Sequence, residues 1–502
     1  MPTRLEELVV EAAAESPDRT AVADRDSSWS YRELDGWSNR LARWFAESGV
    51  GPGDRVALWA PKSGRAVAVL QAALRIGAIY VPIDPATPPL RALKILDDCD
   101  VRRVVTTRAM AAGLPPGRRP FLLDEAADGR DDWGVLRAVS AGPLENPERA
   151  GDETAFILYT SGSTGTPKGV CMTHKNALAF VGWAVRTVGA DASSVFANHA
   201  PFNFDLSVLD LYGAFLTRGT VCLVPETIAW SAPKLVEFLR SNRVTVWYSV
   251  PSVLMLMMDH GGLLDAPAPP PQVVIFAGEP FPIRYVRALR RGWPAVRLFN
   301  FYGPTETNVC TAYEVRDVPD DRTIPVPIGV AAGGDRVWAV KEDGAVAGEG
   351  EKGELWVEGP TVMAGYWGKE PQRGPYRTGD VCLLRPDGNY EFVGRGDQMV
   401  KVRGHRVELG DIEAALGGHP NVGELAVLPV GEGLDLRLVA FVAPRQAPAP
   451  TLIELKTFGA RHLPRYMLVD RVETRVTLPR TPNGKIDRQA LLRDLSVRSA
   501  GE

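Results

Sequence analysis

Apolar strand-like runs alternate with amphipathic helical stretches through the first 300 residues, and this alternation limits the chain to few folds. One such stretch, Arg65–Ile76, places apolar side chains on one helical face. Because alternating strands and helices form parallel sheets with helices on both faces, the pattern predicts a large N-terminal part of doubly wound parallel α/β architecture. The runs that we interpret as buried strands are Val56–Ala60, Ala78–Ile83, Arg103–Thr106, Ala155–Tyr159, Val221–Val224, Thr245–Val250 and Val273–Ala277.

The pattern changes after residue 330. Short β runs such as Val337–Val340 and Glu354–Glu358, separated by glycine, predict a β-rich subdomain. A domain boundary is predicted near Gly396–Asp397. The segment after it is expected to fold as a small, mobile α+β domain. We therefore expect a large domain over residues 1–396 and a small lid domain over residues 397–502, with loops at Ala141–Asp152, Ala266–Pro271 and Pro444–Pro450.

Composition excludes several classes of protein. The 502 residues carry 57 Lys plus Arg and 61 Asp plus Glu, a net charge of −4 that argues against a nucleic-acid partner. No apolar run approaches the roughly 18 residues that span a bilayer, and the N-terminus lacks a signal-peptide pattern, so we expect no membrane association. Five scattered cysteines without a CxxC motif fit a reduced, cytoplasmic protein.

A hydroxyl- and glycine-rich loop follows the strand that ends at Tyr159. Backbone N–H groups and Ser or Thr hydroxyls in such a loop can surround phosphate oxygens, and Lys168 adds a positive charge. The loop is not a Walker motif, because no second Gly-Lys-Ser/Thr element is present. A flexible surface turn is the alternative interpretation. The candidate phosphate-binding residues are Thr160, Ser161, Gly162, Ser163, Thr164 and Lys168.

Residues 159–169 resemble the phosphate loop of the adenylate-forming superfamily, which includes acyl-CoA synthetases, luciferases and amino-acid adenylation domains. Other motifs of that superfamily follow in the right order along almost the whole chain. The resemblance implies an ATP-dependent, AMP-forming ligase that uses Mg²⁺. The matching segments are Trp29–Leu34, Gly77–Pro85, Asn300–Glu306, Gly353–Trp356, Tyr376–Asp380, Gly394–Asp397 and Pro482–Lys485.

The resemblance assigns roles at the nucleotide. Tyr302 would stack on adenine and Asn300 would read the purine edge, while Asp380 would accept the ribose hydroxyls. Arg395 would contact a nearby hydroxyl or phosphate. At the reacting phosphate, the residues implied are Thr305, which would hold the α-phosphate, and Glu306, which would bind the metal through oxygen. A core tyrosine and a turn-capping aspartate are the structural alternatives for Tyr302 and Asp380.

The resemblance implies that two residues of the C-terminal domain act through movement of that domain. Lys485 would bridge the substrate carboxylate and the ribose–phosphate region, where a cation orients the nucleophile and offsets developing charge. Asp397 would be the hinge about which the small domain swings between two half-reactions. The hinge reads Asp397-Gln-Met-Val-Lys401, a departure from the commoner Asp-x-Gln-Val-Lys. Ordinary loop positions are the alternative for both.

The acid that is activated is inferred from Asp205, which resembles the carboxylate that pairs with the α-ammonium of an amino acid. A helix N-cap is the structural alternative. No remaining pocket position is charged, so a charged substrate side chain would be left unpaired. These positions are Leu206, Leu209, Tyr248, Ile275, Ala277, Phe301, Val309 and Cys310.

This pocket resembles that of free-standing prolyl adenylating enzymes, apart from Ile275 and Phe301, where leucine is more usual. L-Proline is therefore the expected substrate, with other small aliphatic or cyclic amino acids as alternatives. No Gly-Gly-x-Ser carrier motif follows Lys485, so a separate carrier protein with a phosphopantetheine arm is the expected partner. An acyl- or aryl-CoA synthetase is the alternative activity, and Asp205 argues against it.

Overall fold

The structure is a computed structural model. It describes residues 2–25, 27–124, 132–144, 149–161, 167–265, 269–395, 399–431, 435–480 and 486–499. The chain divides into two compact units. The first comprises Met1–Pro85, Leu96–Tyr159 and Gly169–Gly396, and the second comprises Ala86–Ile95, Thr160–Lys168 and Asp397–Glu502.

The strands are numbered in chain order. They are β1 Thr20–Ala23, β2 Ser28–Ser30, β3 Arg55–Trp59, β4 Ile79–Ile83, β5 Arg103–Thr106, β6 Phe121–Leu122, β7 Thr154–Thr160, β8 Lys168–Thr173, β9 Val195–Asn198, β10 Thr220–Leu223, β11 Val246–Ser249, β12 Val273–Ala277, β13 Arg297–Tyr302, β14 Thr311–Glu314, β15 Val330–Ala331, β16 Arg336–Val340, β17 Lys352–Glu358, β18 Gly365–Tyr366, β19 Tyr376–Leu384, β20 Tyr390–Arg395, β21 Met399–Val402, β22 His405–Glu408, β23 Val422–Val430, β24 Arg437–Pro444 and β25 Arg471–Thr474.

The helices are numbered in the same way. They are α1 Leu5–Glu15, α2 Tyr31–Glu47, α3 Gly64–Arg75, α4 Pro89–Asp98, α5 Arg108–Ala111, α6 Asp132–Val135, α7 His174–Val188, α8 Leu206–Val208, α9 Ala214–Thr217, α10 Ala232–Ser241, α11 Pro251–His260, α12 Ile283–Gly292, α13 Leu409–Gly417, α14 Leu452–Gly459 and α15 Arg488–Ser499. A π turn, Leu209–Gly213, joins α8 to α9, and 3₁₀ turns occur at Leu136–Ala138, Thr305–Thr307 and Arg465–Met467.

A nine-stranded sheet has the order β15-β14-β13-β12-β11-β9-β10-β1-β2. Its central strands β13, β12, β11, β9, β10 and β1 are parallel to their neighbours in that run. The chain runs from β9 to β10 on one side, then crosses to β11 on the other side of β9. This reversal makes β9 the point at which the sheet changes winding direction, as a doubly wound sheet requires.

A seven-stranded sheet of order β18-β8-β7-β4-β3-β5-β6 repeats this arrangement. Its strands β7, β4, β3, β5 and β6 are parallel, and the chain reverses around β3. Helix α3 connects β3 to β4, and nearly all of its side chains are buried. Ser63 begins that helix by accepting a hydrogen bond from the Ala66 N–H, an N-cap that fixes where the helix starts.

The predicted change after residue 330 is confirmed. Strands β16, β17, β19 and β20 form an antiparallel four-stranded sheet. In the second unit, β21 and β22 pair as a hairpin, and β23, β24 and β25 form a three-stranded sheet with helices α13 and α14 packed in its core cluster. The predicted α/β class, with parallel sheets, a β-rich region and a small α+β C-terminal part, is therefore confirmed.

Each predicted strand falls within two residues of the observed bounds, and the predicted helix Arg65–Ile76 corresponds to α3. The apolar pattern of the sequence was sufficient to locate these elements, because they are buried on both faces and so carry unbroken apolar runs. Among the residues that the structure describes, no helix is both long and apolar enough to cross a bilayer.

Candidate active site

The carboxyl ends of the strands in the nine-stranded sheet gather most of the predicted site residues. In open α/β sheets, ligands bind outside these ends at the point where the winding reverses, which here is the end of β9. The segments that carry Asp205, Tyr248, Ala277 and Tyr302 all lie at or just beyond the carboxyl ends of β9, β11, β12 and β13. The fold therefore brings together residues that are about a hundred positions apart in the sequence.

One face of this sheet carries the predicted apolar pocket. Tyr248 pairs with Ile275, and Ala277 pairs with Phe301, in parallel register. Because side chains two residues apart on a strand lie on the same face, these four residues share one face. All four are buried, and the rings of Tyr248 and Phe301 lie 6.1 Å apart at 73°. Trp183 packs 5.1 Å from the Phe301 ring, a contact that the sequence did not predict.

Asp205 lies at the beginning of α8 with only 7% of its surface exposed. It occupies the N-cap position, but its side chain makes no capping hydrogen bond, so the capping alternative is not supported. Burial, and then the charges of Asp205 and Asp210, raise the pKa of the Tyr248 phenol well above its usual value. The carboxylate of Asp205 thus acts electrostatically on a pocket wall, and the phenol is neutral and able to donate.

The other predicted wall residues come from two segments. Leu206 and Leu209 lie on the helical segment that follows Asp205, and both are buried. Val309 is buried after the 3₁₀ turn. Cys310 is also buried, but it packs in the apolar cluster of the four-stranded sheet together with Tyr302.

Strand β13 separates two kinds of site residue. Phe301 faces the apolar pocket, so Asn300 and Tyr302 face the opposite side of the sheet. The Asn300 amide donates to the Pro327 carbonyl at 2.8 Å. Tyr302 is buried and packs in the apolar cluster that includes Leu355 of the four-stranded sheet.

A buried polar cluster joins β13 to the four-stranded sheet. The Tyr302 hydroxyl donates to the Asp380 carboxylate, and Arg395 forms an ion pair with the other carboxylate oxygen. Asp380 and Arg395 are direct cross-strand partners on β19 and β20. Burial and the Asp380 charge raise the pKa of Tyr302 well above its usual value. The turn-capping alternative for Asp380 is wrong, because this residue lies inside a strand.

The tight turn after β13 carries Thr305 and Glu306. A Cβ atom at Gly303 would overlap the Asn308 carbonyl oxygen, so only glycine permits this close return of the backbone. Glu306 is 1% exposed, and its carboxylate accepts a hydrogen bond from the Tyr366 hydroxyl at 2.7 Å. The carboxylate is thereby held in one orientation.

The predicted phosphate loop is described only at its ends. The Thr160 hydroxyl is buried without a hydrogen-bond partner among the described residues. In the second unit, the Ser161 hydroxyl donates to the Arg406 carbonyl at 2.7 Å and accepts from the Glu408 N–H at 3.2 Å. Lys168 begins β8. The predicted residues Gly162, Ser163, Thr164, Asp397 and Lys485 lie outside the described residues.

A buried polar network at the end of β9 was not predicted. The Lys62 ammonium donates to the carbonyls of Asn198 and His199 at 2.8 and 2.9 Å. The Asn198 amide donates to Asp210 at 3.0 Å, and burial lowers the pKa of Lys62 to about 8. Asn198 pairs with Tyr248 and so shares the pocket face. Asp210 in an otherwise apolar helical stretch was the one signal in the sequence.

Two protein-family models match most of the chain. Residues 9–367 match the family described as AMP-binding enzyme, and residues 411–485 match the AMP-binding enzyme C-terminal domain. The chain is 48% identical over 497 residues to an L-proline–[L-prolyl-carrier protein] ligase of Pseudomonas fluorescens, a match that covers 98% of this chain and 99% of that protein.

Two further similarities are informative. A protein of Streptomyces coelicolor with the same name is 39% identical, over 94% of this chain and 93% of that protein. Among solved structures, holo-PA1221, described as an NRPS protein containing adenylation and PCP domains, matches with a TM-score of 0.78 at 25% identity. This match covers 98% of this chain and 84% of that one.

Proposed function

The chain belongs to the family of AMP-binding enzymes, and from that premise we propose that it activates L-proline with ATP and passes the prolyl group to a separate carrier protein. The single observation that carries this proposal is a buried carboxylate, Asp205, beside an apolar pocket at the reversal point of the sheet. Relatives named as L-proline–[L-prolyl-carrier protein] ligases match the chain over nearly its full length.

The reaction has two steps. In the first, a carboxylate oxygen of proline attacks the α-phosphorus of ATP, a P–O bond forms, and pyrophosphate leaves. In the second, the phosphopantetheine thiol of the carrier attacks the carbonyl carbon, a C–S bond forms, and AMP leaves with the electron pair of the broken C–O bond. Both steps develop negative charge, so they need oriented cations and hydrogen-bond donors.

The pocket selects the amino acid through one charge and several apolar walls. Asp205 would pair with the secondary ammonium of proline. Tyr248, Ile275, Ala277 and Phe301 would enclose the ring from one sheet face, together with Leu206, Leu209 and Val309, whereas Cys310 packs with Tyr302 in the apolar cluster of the four-stranded sheet. A carboxylic acid without an amine would bring no cation to the buried Asp205 carboxylate, which disfavours the CoA-synthetase alternative.

The nucleotide would bind on the opposite side of β13. Tyr302 would contact adenine, and Asn300 would contact the purine edge. Asp380 would accept hydrogen bonds from the ribose hydroxyls, and Arg395 would donate to a phosphate oxygen. Their preformed hydrogen bonds support this assignment, because a site that is already oriented loses less entropy when its ligand binds.

Replacing Asp380 by Asn should raise the KM for ATP by about tenfold, because a charge-assisted hydrogen bond contributes roughly 1.5–3 kcal/mol. The KM for proline should change less than twofold, since Asp380 bonds Tyr302, which faces away from the apolar pocket. Asp335→Asn is the matched control: Asp335 is also buried, and it bonds Thr361 instead. Initial-rate kinetics on both variants test this, and an unchanged KM for ATP in Asp380→Asn contradicts the ribose assignment.

Mg²⁺ fits the residues present at the turn after β13. Among the described residues, no cluster of three or more His, Cys, Asp or Glu side chains could hold a metal. A single buried carboxylate, Glu306, suits an ion that proteins bind through one or two carboxylates together with substrate phosphates. Bound there, Mg²⁺ would offset phosphate charge. Thr305 would hold the α-phosphate beside it.

The remaining assignments concern the phosphate loop and the C-terminal region. We assign phosphate contacts to Thr160, Ser161, Gly162, Ser163, Thr164 and Lys168. The buried hydroxyl of Thr160, which has no partner among the described residues, supports them, because such a group is costly unless a ligand satisfies it. Lys485 is the proposed cation of the first step and Asp397 the proposed hinge between domains 1–396 and 397–502.

We also propose that the enzyme works in the cytoplasm. All five cysteines are free and buried, as is usual in a reducing compartment. The net charge of −4 over the whole chain fits a small-molecule substrate and a protein partner.

A transfer assay tests the proposed function. Purified enzyme, ATP, Mg²⁺ and proline are incubated with a phosphopantetheine-bearing carrier protein, and the intact mass of the carrier is measured. We expect a gain of one prolyl group, abolished when the carrier lacks its arm. Accumulation of prolyl-CoA on adding free CoA, with no loaded carrier, contradicts the proposal.

A further inference from the structure

Asn308 has an unusual backbone conformation directly after the turn that carries Glu306. Its φ is 57° and its ψ is −93°, a positive-φ conformation outside the left-handed helical region that residues other than glycine rarely adopt. Surrounding contacts enforce this conformation: its N–H donates to the Thr305 carbonyl at 3.3 Å, and its own carbonyl lies against Gly303. Residues held in this way occur disproportionately at active sites.

The Asn308 side chain is buried but lacks an acceptor. It is 5% exposed, and its amide nitrogen Nδ2 makes no hydrogen bond within the described part of the chain. By contrast, the Nδ2 groups of Asn300 and Asn198 are both satisfied by the protein. An unsatisfied buried donor is costly, so retaining one beside the catalytic turn points to an acceptor supplied by the ligand.

The position of Asn308 along the chain indicates which atom of the ligand it meets. Thr305 and Glu306 precede it and are assigned to the phosphate and metal, while Val309 follows it and is assigned to the amino-acid side chain. In an aminoacyl adenylate, the carboxyl carbon with its free oxygen lies between those two parts.

We propose that Asn308 Nδ2 donates a hydrogen bond to the carboxyl oxygen of proline that does not bond to phosphorus. The inference deepens the proposed function and rests on it. That oxygen is a carboxylate oxygen before the first step and a carbonyl oxygen in prolyl-AMP. When the carrier thiol attacks, its proton is released to solvent and this oxygen becomes the oxyanion of the tetrahedral intermediate, before AMP departs.

Asn308 therefore contributes more to the second step than to the first, because the charge on this oxygen is greatest in the tetrahedral intermediate. Removing one oxyanion donor in an acyl-transfer enzyme lowers kcat by about 10²–10³-fold. We expect single-turnover transfer from preformed prolyl-AMP to fall by about 10²-fold in Asn308→Gly, and pyrophosphate exchange to fall by less. Glycine tolerates the positive φ, so this variant removes the side chain without straining the backbone.

Two ligands, one with and one without the carbonyl oxygen, test the hydrogen bond directly. A prolyl-sulfamoyl adenosine retains the carbonyl oxygen, whereas the sulfamoyl adenosine derived from prolinol has a CH₂ group in place of the carbonyl group. By calorimetry, Asn308→Gly should bind the first about tenfold more weakly, a loss of about 1.4 kcal/mol, and the second within twofold of the unchanged enzyme. A purely structural role would weaken both ligands equally, and that result overturns the proposal.

Matched variants guard against misfolding. Arg243→Gly likewise places glycine at a residue with positive φ, 51°, at an exposed site, and should leave both ligands unaffected. Asn308→Asp retains the shape but replaces the donor with an acceptor, so it should also discriminate between the two ligands. If the unchanged enzyme binds neither ligand, the proposed function fails. If it binds both and no Asn308 variant discriminates, only this inference fails.

Discussion

Asp205→Asn should raise the KM for L-proline by about 10²–10³-fold, because removing one partner of a buried ion pair costs roughly 3–5 kcal/mol. The substitution retains the size of the side chain and removes only its charge. The KM for ATP should stay within twofold, since the nucleotide would bind on the other side of β13. Pyrophosphate-exchange kinetics with each substrate varied in turn measure both constants.

The Asp205 variant has a simple control. Asp191→Asn removes a carboxylate from an exposed turn and should change neither KM. Cyclopentanecarboxylic acid, which has the ring but no amine, provides the complementary test. The unchanged enzyme should reject it, because this acid brings no ammonium to the buried Asp205 carboxylate. Efficient activation of this acid, or an unaltered KM for proline in Asp205→Asn, contradicts the ammonium pairing.

Lys485→Ala should lower the rate of prolyl-AMP formation by about 10³-fold, because a cation that both orients the nucleophile and offsets developing charge acts on positioning and electrostatics together. Transfer of the prolyl group from supplied prolyl-AMP to the carrier should be largely retained. Measuring the two half-reactions separately, by pyrophosphate exchange and by carrier mass, resolves them.

Two further lysine variants complete this experiment. Lys485→Arg retains the charge and should recover part of the adenylation rate. Lys456→Ala removes a lysine from helix α14 of the same unit and should leave both half-reactions unchanged. Equal loss of both half-reactions in Lys485→Ala would show that the lysine stabilises the fold or acts in both steps.

The fold could be predicted from the sequence because its central strands are buried on both faces. Strands such as Val273–Ala277 carry unbroken apolar runs, and the helices between them have amphipathic periodicity. The order of strands in the sheets could not be obtained in this way. It depends on long-range pairing, such as that of Val22 with Val221, which no local pattern encodes.

The candidate site was predictable only where residue type and local motif coincide. Motifs identified Asp205, Tyr302 and Glu306, but not the buried network of Lys62, Asn198 and Asp210. Lys62 is far in sequence from the other two members of this network. Asp210 lies in the segment Leu209–Gly213, which is a π turn rather than regular α-helix. A π turn adds a residue to the helical repeat, so the spacing rules of an α-helix misplace the residues beyond the turn.

Asn308 escaped prediction for a related reason. An asparagine after Thr-Glu-Thr is an ordinary turn residue by composition, and only its dihedral angles and its unsatisfied amide distinguish it. Similarly, the alternation of Asn300, Phe301 and Tyr302 along β13 had no significance until the register showed that the two sides of this strand carry different halves of the site.

Pyrophosphate exchange across a panel of amino acids is the decisive measurement for the activation of proline. The assay contains the enzyme, ATP, Mg²⁺ and labelled pyrophosphate, with proline, alanine, valine, pipecolic acid or no amino acid. We expect strong exchange with proline, with valine and alanine at least about tenfold lower, because differences of one methylene in an apolar pocket are worth roughly 1–3 kcal/mol. Background exchange with proline, or stronger exchange with an open-chain amino acid, contradicts the assignment of proline as the substrate.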